Sequence, residues 1–312
     1  MPWRHRVSAR DWLDTFPGVL VNEPLGRHSQ FGVGGPARWF ITTREVTVLS
    51  ELLRRCGDSG VPVTMLGAGS NALISDRGID GLVVRHNDRR LRVADDHTVE
   101  LGSGCMMPRV ALDCASRGFA GIEFGIGVPG TCGAGVYGNA GAFGTEMSDV
   151  LIDCTSLDPS GEPLTLPAEA CDFGYRHSRF KDDLSGHAIV SARLRIHADD
   201  PDQVRERTDA IQAERKASQP YGIRSLGSVF MNPPDDRAGR LIEAAGLKGR
   251  RSGGAQISPK HANFIVNVEQ ATAADVLELV GIAHDAVLKQ FGVDLAREII
   301  FLGGEESGDH RG

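Results

Sequence analysis

The stretch GIEFGIGVPGTCGAGVYGNAGAFG, residues 121–144, decides how the chain is read. Nine of its twenty-four residues are glycine, and Glu123 alone is charged. Glycine loses more conformational freedom on ordering than any other residue, so a cluster needs a reason. Two reasons suit this one: backbone that must take positive φ, and backbone that a ligand must approach closely. Successive bare N–H groups can hold a pyrophosphate without a basic side chain. The plain alternative is a flexible linker, but linkers are polar and rich in serine. This stretch carries Ile122, Phe124, Ile126, Val128, Val136, Tyr137 and Phe143, which look buried, so an ordered ligand loop is expected.

Working outward, 312 residues give room for one or two domains and a substantial core. A net charge of −7 argues against a nucleic-acid backbone as partner. No apolar run reaches membrane-spanning length. Arg4, Arg6 and Arg10 are followed by further charges that leave no signal-peptide core, so a cytoplasmic protein is expected. The six cysteines (Cys56, Cys105, Cys114, Cys132, Cys154, Cys171) are scattered without a CxxC pair. They are expected to be reduced thiols, with neither a metal site nor a disulfide framework.

A second glycine turn lies upstream. Residues 61–66 read as a strand running into Gly67-Ala68-Gly69-Ser70-Asn71-Ala72. This matches the GxGxxA dinucleotide fingerprint, with Asp88 about where a ribose-binding acid would lie. The fingerprint must open a helix, yet Leu73-Ile74-Ser75 is short, Asp76-Arg77-Gly78 is a turn and residues 79–84 read as another strand. A crossover helix of about ten or more residues does not fit, which excludes a Rossmann unit. The same glycines still suit a phosphate- or ribose-binding turn.

Elsewhere, the turn FGVGGPA (31–37) leads into a strand at 38–41. Thr42 and Glu45 have capping-box spacing ahead of Val46, Leu49, Leu53 and Cys56, and Gly57 and Gly60 are expected to stop that helix. Short strands are expected within 91–101 about a turn near Asp95 and Asp96. Pro108 opens a helix ended by Gly118. Strands follow at 150–157, 162–166 and 188–196. The polar segment 197–202 marks a domain boundary. Beyond it come an exposed helix at 203–217, a loop at 219–226, strands at 228–231 and 264–267, and a helix at 238–245. An amphipathic helix opens at Thr272, and a last strand covers 298–302. Residues 1–20 carry no periodic signal and are expected to pack loosely. The tail 304–312 is expected to be disordered. The whole is an α+β pattern.

Six segments, FGVGGPA (31–37), LGAGSN (66–71), residues 121–144, FGYRHSRFK (173–181), GSVFMNP (227–233) and AGRLIEAAGLKGRRSGGAQISPKHANFIVN (238–267), stand in this order. Together they closely resemble the UDP-N-acetylenolpyruvoylglucosamine reductase family, often called MurB, over residues 25–303. The compact step from Tyr175-Arg176 to the strand at 188 resembles its shorter subtype, which lacks an inserted tyrosine loop. The resemblance implies an FAD-binding domain of the vanillyl-alcohol-oxidase (PCMH) type at 25–199, in two subdomains split near 86. It further implies a C-terminal α+β substrate domain at 200–303, with residues 1–24 as an N-terminal extension. Met231 stands where a lysine or glutamine is common in the family, and Arg224 where a proline is frequent.

The implied reaction reduces UDP-N-acetyl-3-O-(1-carboxyvinyl)glucosamine to UDP-N-acetylmuramate, a peptidoglycan precursor. NADPH supplies hydride through FAD. Negative charge develops on the α-carbon and carboxylate, and a proton must reach the α-carbon, so donors and one positioned acid are needed. By resemblance Arg176 supplies fixed positive charge, Glu298 donates to the carboxylate, and Ser228 gives the proton. A guanidinium suits the first role because it stays charged and can fork onto a carboxylate. Tyr175, Asn232 and His261 match positions near the substrate, though His261 equally suits a structural histidine. FAD contacts are expected from Gly67, Gly69, Ser70 and Asn71, and from Gly127, Val128, Pro129, Gly130, Thr131, Gly133, Asn139, Ala140 and Gly141. Neither loop contains histidine, so the flavin is expected to be non-covalent. The protein is expected to be a monomer with no nucleic-acid or membrane partner. Two other readings stay open: a carbohydrate oxidase of the same flavin fold, and a catalytically silent flavin or sugar-nucleotide binder.

Overall fold

The computed structural model describes residues 11–94 and 97–303, and the expected turn at Asp95 and Asp96 and the tail 304–312 lie outside them. By packing, the chain forms two compact units. One comprises the residues up to Val21, Arg38–Ala68 and Gly81–Glu214; the other comprises Asn22–Ala37, Gly69–Asp80 and the chain from Arg215 on. Packing therefore interleaves segments that the linear order keeps apart: residues 22–37 and 69–80 pack with the C-terminal part.

Among the described residues the first unit holds two larger sheets and two short two-stranded pairs. A four-stranded sheet, in the order Leu20–Pro24, Pro36–Thr43, Ile79–His86, Val63–Met65, is built mainly from this unit's segments. The helix Val46–Ser59 supplies Leu49, Leu52, Leu53 and Cys56 to a core shared with Trp39, Ile41, Leu82 and Val84. The expected capping box at Thr42 is absent. Thr42 stays inside the strand, Glu45 is the N-cap, and the Thr43 hydroxyl accepts from the Glu45 N–H at 3.1 Å. Gly57 is helical and Gly60 alone ends the helix, at φ 62°. Residues 11–20 do not pack loosely. Leu13 is fully buried, Trp12 lies under the Arg55 guanidinium at 3.9 Å, and the Trp39 indole donates to Asp14 at 2.7 Å.

A five-stranded antiparallel sheet runs in the order Pro163–Pro167, Leu151–Leu157, Ala188–Arg195, Thr98–Gly102, Leu91–Val93. The helix Met107–Ser116 and the short helix Cys132–Tyr137 pack Val110, Cys114, Cys132 and Val136 against its Val99, Leu101, Cys154 and Leu194. All six cysteines are buried and free. Burial pushes the Cys56 and Cys105 thiols up to about 11 and Cys114 to about 12.

The second unit is an antiparallel sheet in the order Ser225–Ser228, Phe264–Asn267, Ala255–Ile257, Arg251–Ser252. The helices Ala238–Ala244 and Ala273–Phe291 bury Leu241, Ile242, Val276, Leu279 and Val287 against Leu226, Phe230, Ile257 and Ile265. The strand expected at 228–231 lies earlier. Gly227, at φ 75°, breaks the pairing register between Ser225 and Ser228, and the following residues leave the ladder. The last strand is only Ile300–Leu302, because the Glu298 and Ile299 N–H groups turn to Val229 O. It pairs in parallel with Ala72–Ile74, with Ile300 opposite Ala72. The segment after the GxGxxA match is thus a strand, as the exclusion of a Rossmann unit requires.

The helix Ala273–Phe291 is capped twice. Thr272 and Asp275 form the reciprocal box, and Asp76 accepts from the Ala273 N–H at 2.9 Å and the Ala274 N–H at 3.1 Å. An anionic cap at a helix start is favoured by both hydrogen bonding and the helix dipole. Asp76→Ala should therefore lower stability by about 1–2 kcal/mol, read as an earlier urea midpoint with an unchanged slope. An unchanged midpoint would show that Thr272 and Asp275 suffice.

Candidate active site

In the first unit the glycine-rich stretch folds as a 3₁₀ turn (Glu123–Gly127), the helix Cys132–Tyr137, and a hairpin of Gly141–Ala142 with Thr145–Glu146. The hairpin turn places both Phe143 (φ 55°) and Gly144 (φ 83°) in the left-handed region. Sequence reasoning offered positive φ or ligand approach for these glycines; the structure adds a third cause, approach by the chain itself. A Cβ on Gly127 would lie 2.8 Å from Ala142 Cβ, on Gly133 2.8 Å from Ser103 Cβ, on Gly135 2.8 Å from Met147 Cε and on Gly141 2.5 Å from Glu146 Cβ. Nor are all the amides bare. Those of Cys132 and Gly133 donate to Cys105 O and Ser103 O at 2.8 and 3.0 Å.

Val128 and Pro129 lead from the 3₁₀ turn to Gly130, whose carbonyl accepts from the Met107 N–H at 3.0 Å. Thr131 is the N-cap of the short helix, and its Oγ1 would lie 2.8 Å from a Cβ on Gly67. Gly67 and Thr131 therefore belong to one place. Ala140 uses both backbone groups internally, its N–H on Gly135 O and its carbonyl under the Met147 N–H.

The Asn139 side chain points inward. It is fully buried at φ 42°; its Nδ2 donates to Glu146 Oε1 (2.8 Å) and Gly174 O (2.9 Å), and its Oδ1 accepts from the Ser148 N–H (2.9 Å). Gly174 and His177 close a tight turn with Tyr175 and Arg176 at its tip. Arg176 has φ 58°, which strains a residue with a Cβ and in a turn normally selects glycine or asparagine. Lys181 Nζ donates to its carbonyl at 2.6 Å, its own Nη2 donates to Gly141 O at 3.2 Å, and its guanidinium lies 5.1 Å from the Tyr175 ring centre. Ser178, buried, donates to Tyr137 O at 2.6 Å. The arginine turn is thus pinned to the glycine-rich stretch at Tyr137, Asn139 and Gly141.

The second unit joins the other candidates. Gly69 has φ 62°, and a Cβ there would meet His28 O at 2.5 Å. Asn71 Nδ2 donates to Glu298 O at 2.8 Å, and Asn71 O accepts from the Ile300 N–H at 2.9 Å. Glu298 donates its N–H to Val229 O at 2.8 Å, one residue beyond Ser228. A Cβ on Gly227 would lie 3.8 Å from Ser70 O. Ser70, Asn71, Ser228 and Glu298 are therefore neighbours along one run of backbone. An open cleft of about 350 Å³ in this unit is lined by Gln30, Arg215, Tyr221, Arg224 and Ser225, among others.

Two expected substrate residues have structural employment. Asn232 Oδ1 accepts from the Ala238 N–H at 3.1 Å, at the start of the helix Ala238–Ala244. His261 Nδ1 accepts from the Asn263 N–H at 3.3 Å, and its ring packs edge-on to Phe264 at 4.9 Å. Burial, then the Lys248 charge, holds its pKa below the usual histidine value, so the imidazole is neutral. Asn263, which no sequence signal singled out, is buried and bonded to Val229 and Phe230.

These residues suit a flavin nucleotide. Among the described residues the hydroxyls of Ser70, Thr131 and Ser228 make no hydrogen bond within the protein. Ser70 and Thr131 stand beside Gly69 and Gly67, where side chains are sterically forbidden. Within each unit, a hydroxyl beside such backbone offers an uncharged contact for a phosphate or ribose oxygen.

A family model described as FAD binding domain matches residues 37–167. The fold and this match define a flavin-dependent oxidoreductase with an added C-terminal α+β portion. A second family model, described as UDP-N-acetylenolpyruvoylglucosamine reductase, C-terminal domain, matches residues 219–302. UDP-N-acetylenolpyruvoylglucosamine reductase 2 of Symbiobacterium thermophilum is 42% identical over 90% of this chain and 91% of its own. The reductase of Synechococcus sp. (strain JA-3-3Ab) is 43% identical over 91% of each. The crystal structure of the reductase (MurB) from Thermus caldophilus superposes with a TM-score of 0.76 at 32% identity, covering 91% of this chain and 98% of that one. The chain belongs to the UDP-N-acetylenolpyruvoylglucosamine reductase family.

Asn139→Ala should strand the Gly174 carbonyl and Ser148 N–H, costing about 2–3 kcal/mol in urea unfolding. It should also lower the bound flavin per protein, read from visible absorbance after gel filtration. Full flavin retention with unchanged stability would remove Asn139 from this role.

Proposed function

We propose that the chain catalyses the NADPH-dependent, FAD-mediated reduction of UDP-N-acetyl-3-O-(1-carboxyvinyl)glucosamine to UDP-N-acetylmuramate. Family membership over nine-tenths of the chain supports this reading. The observation that carries it is the backbone run setting Ser228 and Glu298 beside Ser70 and Asn71. Residues 25–199 form the flavin-binding part, in two subdomains split near 86, and residues 200–303 the substrate part. The protein works as a cytoplasmic monomer, without nucleic-acid or membrane partners. Among the described residues no helix is long and apolar enough to cross a membrane.

Gly67 and Thr131 of the first unit and Gly69, Ser70 and Asn71 of the second would hold FAD, which when bound would supply the hydride, taken from NADPH, to the enol β-carbon. The chain's own residues manage charge and proton. Arg176, permanently cationic, stabilises the carboxylate as negative charge develops. Glu298 in its protonated form donates to the same carboxylate. The Ser228 hydroxyl, which bonds to none of the described residues, gives its proton to the α-carbon and recovers one from solvent. Tyr175, 49% exposed at the tip of the arginine turn, contacts substrate. Asn232 and His261 shape the site through the helix start and the Asn263 segment they hold.

Stopped-flow absorbance separates the two half-reactions. Ser228→Ala should leave flavin reduction by NADPH within about twofold of wild type while slowing reoxidation by the enolpyruvyl nucleotide by about 10²-fold or more. Equal loss of both half-reactions would remove Ser228 as proton donor. A recombinant protein that is colourless and takes up no added FAD would end the whole reading.

A further inference from the structure

We propose that Asn263 is a positioning residue for the reduction step, fixing Ser228 and Glu298 in place through the backbone of Val229 and Phe230; this rests on the roles given to those two residues above. Asn263 is 3% exposed. Its Oδ1 accepts from the Phe230 N–H at 2.9 Å and its Nδ2 donates to Phe230 O at 2.8 Å, so one side chain closes on both polar groups of one residue. Its own carbonyl accepts from the Val229 N–H at 2.9 Å. Three bonds therefore hold the two residues that follow Ser228.

Ser228 needs such a clamp because it stands where the ladder fails. Gly227 is left-handed at φ 75°, and the pairing register shifts between Ser225 and Ser228. Beyond that break Ser228 still faces Phe264, but by Phe230 the chain has left the ladder and meets only an isolated bridge to Arg297. Val229 O then accepts from the N–H groups of Glu298 (2.8 Å) and Ile299 (3.3 Å), and Met231 N–H donates to Ala296 O at 2.9 Å. Asn263, Val229 and Glu298 thus form one hydrogen-bonded block, with the proposed proton donor at one edge and the proposed carboxylate donor at the other. A primary amide offers a donor and an acceptor in one planar fork at this reach without first taking up a proton. Leucine would fill the volume and leave both Phe230 groups unpaired; serine would reach one at most. Asn263 touches no reacting atom and acts through the backbone, and small displacements of catalytic groups cost large factors in rate.

The test uses the FAD-loaded enzyme, NADPH, and UDP-N-acetyl-3-O-(1-carboxyvinyl)glucosamine in stopped flow. Asn263→Ala should keep flavin reduction by NADPH within about twofold of wild type and slow reoxidation by the nucleotide at least about tenfold. Asn263→Asp, whose carboxyl keeps an acceptor for the Phe230 N–H, should lose less and carries the test if the alanine variant does not fold. A loss shared equally by both half-reactions, or none in either, overturns the proposal. Ser228→Ala run alongside separates the levels. If it is selective for the second half-reaction and the Asn263 variants are not, this inference alone falls; if it is not selective, the functional reading falls first and takes this one with it.

Discussion

The parallel pairing of Ala72–Ile74 with Ile300–Leu302 is the constraint on which the second unit depends. It brings together residues 228 positions apart, with Asn71 bonding the far segment through side chain and main chain alike. A short two-stranded pair is marginal by itself. Here it is braced on both sides: Gly35 N–H donates to Ser75 O, Ser75 N–H to Leu302 O, and Asp76 caps the helix Ala273–Phe291. The turn at Gly69 to Asn71 gains its fixed shape from this bracing rather than from a helix of its own. A dinucleotide fingerprint here does work of a different kind from the one its sequence suggests.

Arg176 illustrates how a strained residue is kept. A non-glycine residue in the left-handed region costs of order 1 kcal/mol and persists only where its surroundings over-determine it. The surroundings here are Lys181 on its carbonyl, Gly141 under its guanidinium, and Asn139 on the preceding turn residue Gly174. The glycine-rich stretch thus has two tasks. Part of it presents open backbone, and part of it holds an arginine in a conformation arginine does not favour.

Much of this was legible in the chain. Helical period identified Val46–Ser59 and Ala273–Phe291, and the cramped spacing after Asn71 excluded a Rossmann crossover. The glycine stretch is ordered, as its apolar residues required, although Phe143, expected to be buried, is exposed. What sequence could not reveal was the reason for many of its glycines, because the atoms crowding them come from elsewhere: Ser103 for Gly133, Met147 for Gly135. The helix Cys132–Tyr137 was equally hidden, since two of its six residues are poor helix formers. The internal bonds of Asn139 and the whole part played by Asn263 were hidden for a common reason. A polar side chain reads as surface or as ligand contact, and only the fold reveals that its partners are buried backbone groups. The register break at Gly227 shifted the expected strand at 228–231, because a left-handed glycine acts locally against a β-forming run.

The interleaving of segments carries a consequence for biosynthesis. Residues 69–80 leave the ribosome more than two hundred residues ahead of the strand that completes them, so their polar edge must wait for Ile300–Leu302 to be made. Until then that edge is a template for mispairing of the kind that chaperones shield. A gene cut at Arg215 would encode a fragment lacking both Asn22–Ala37 and Gly69–Asp80. Such a piece would miss the parallel partner of its last strand and one of the two caps of its longest helix, so this enzyme is not divisible into halves that could be exchanged between relatives by simple splicing.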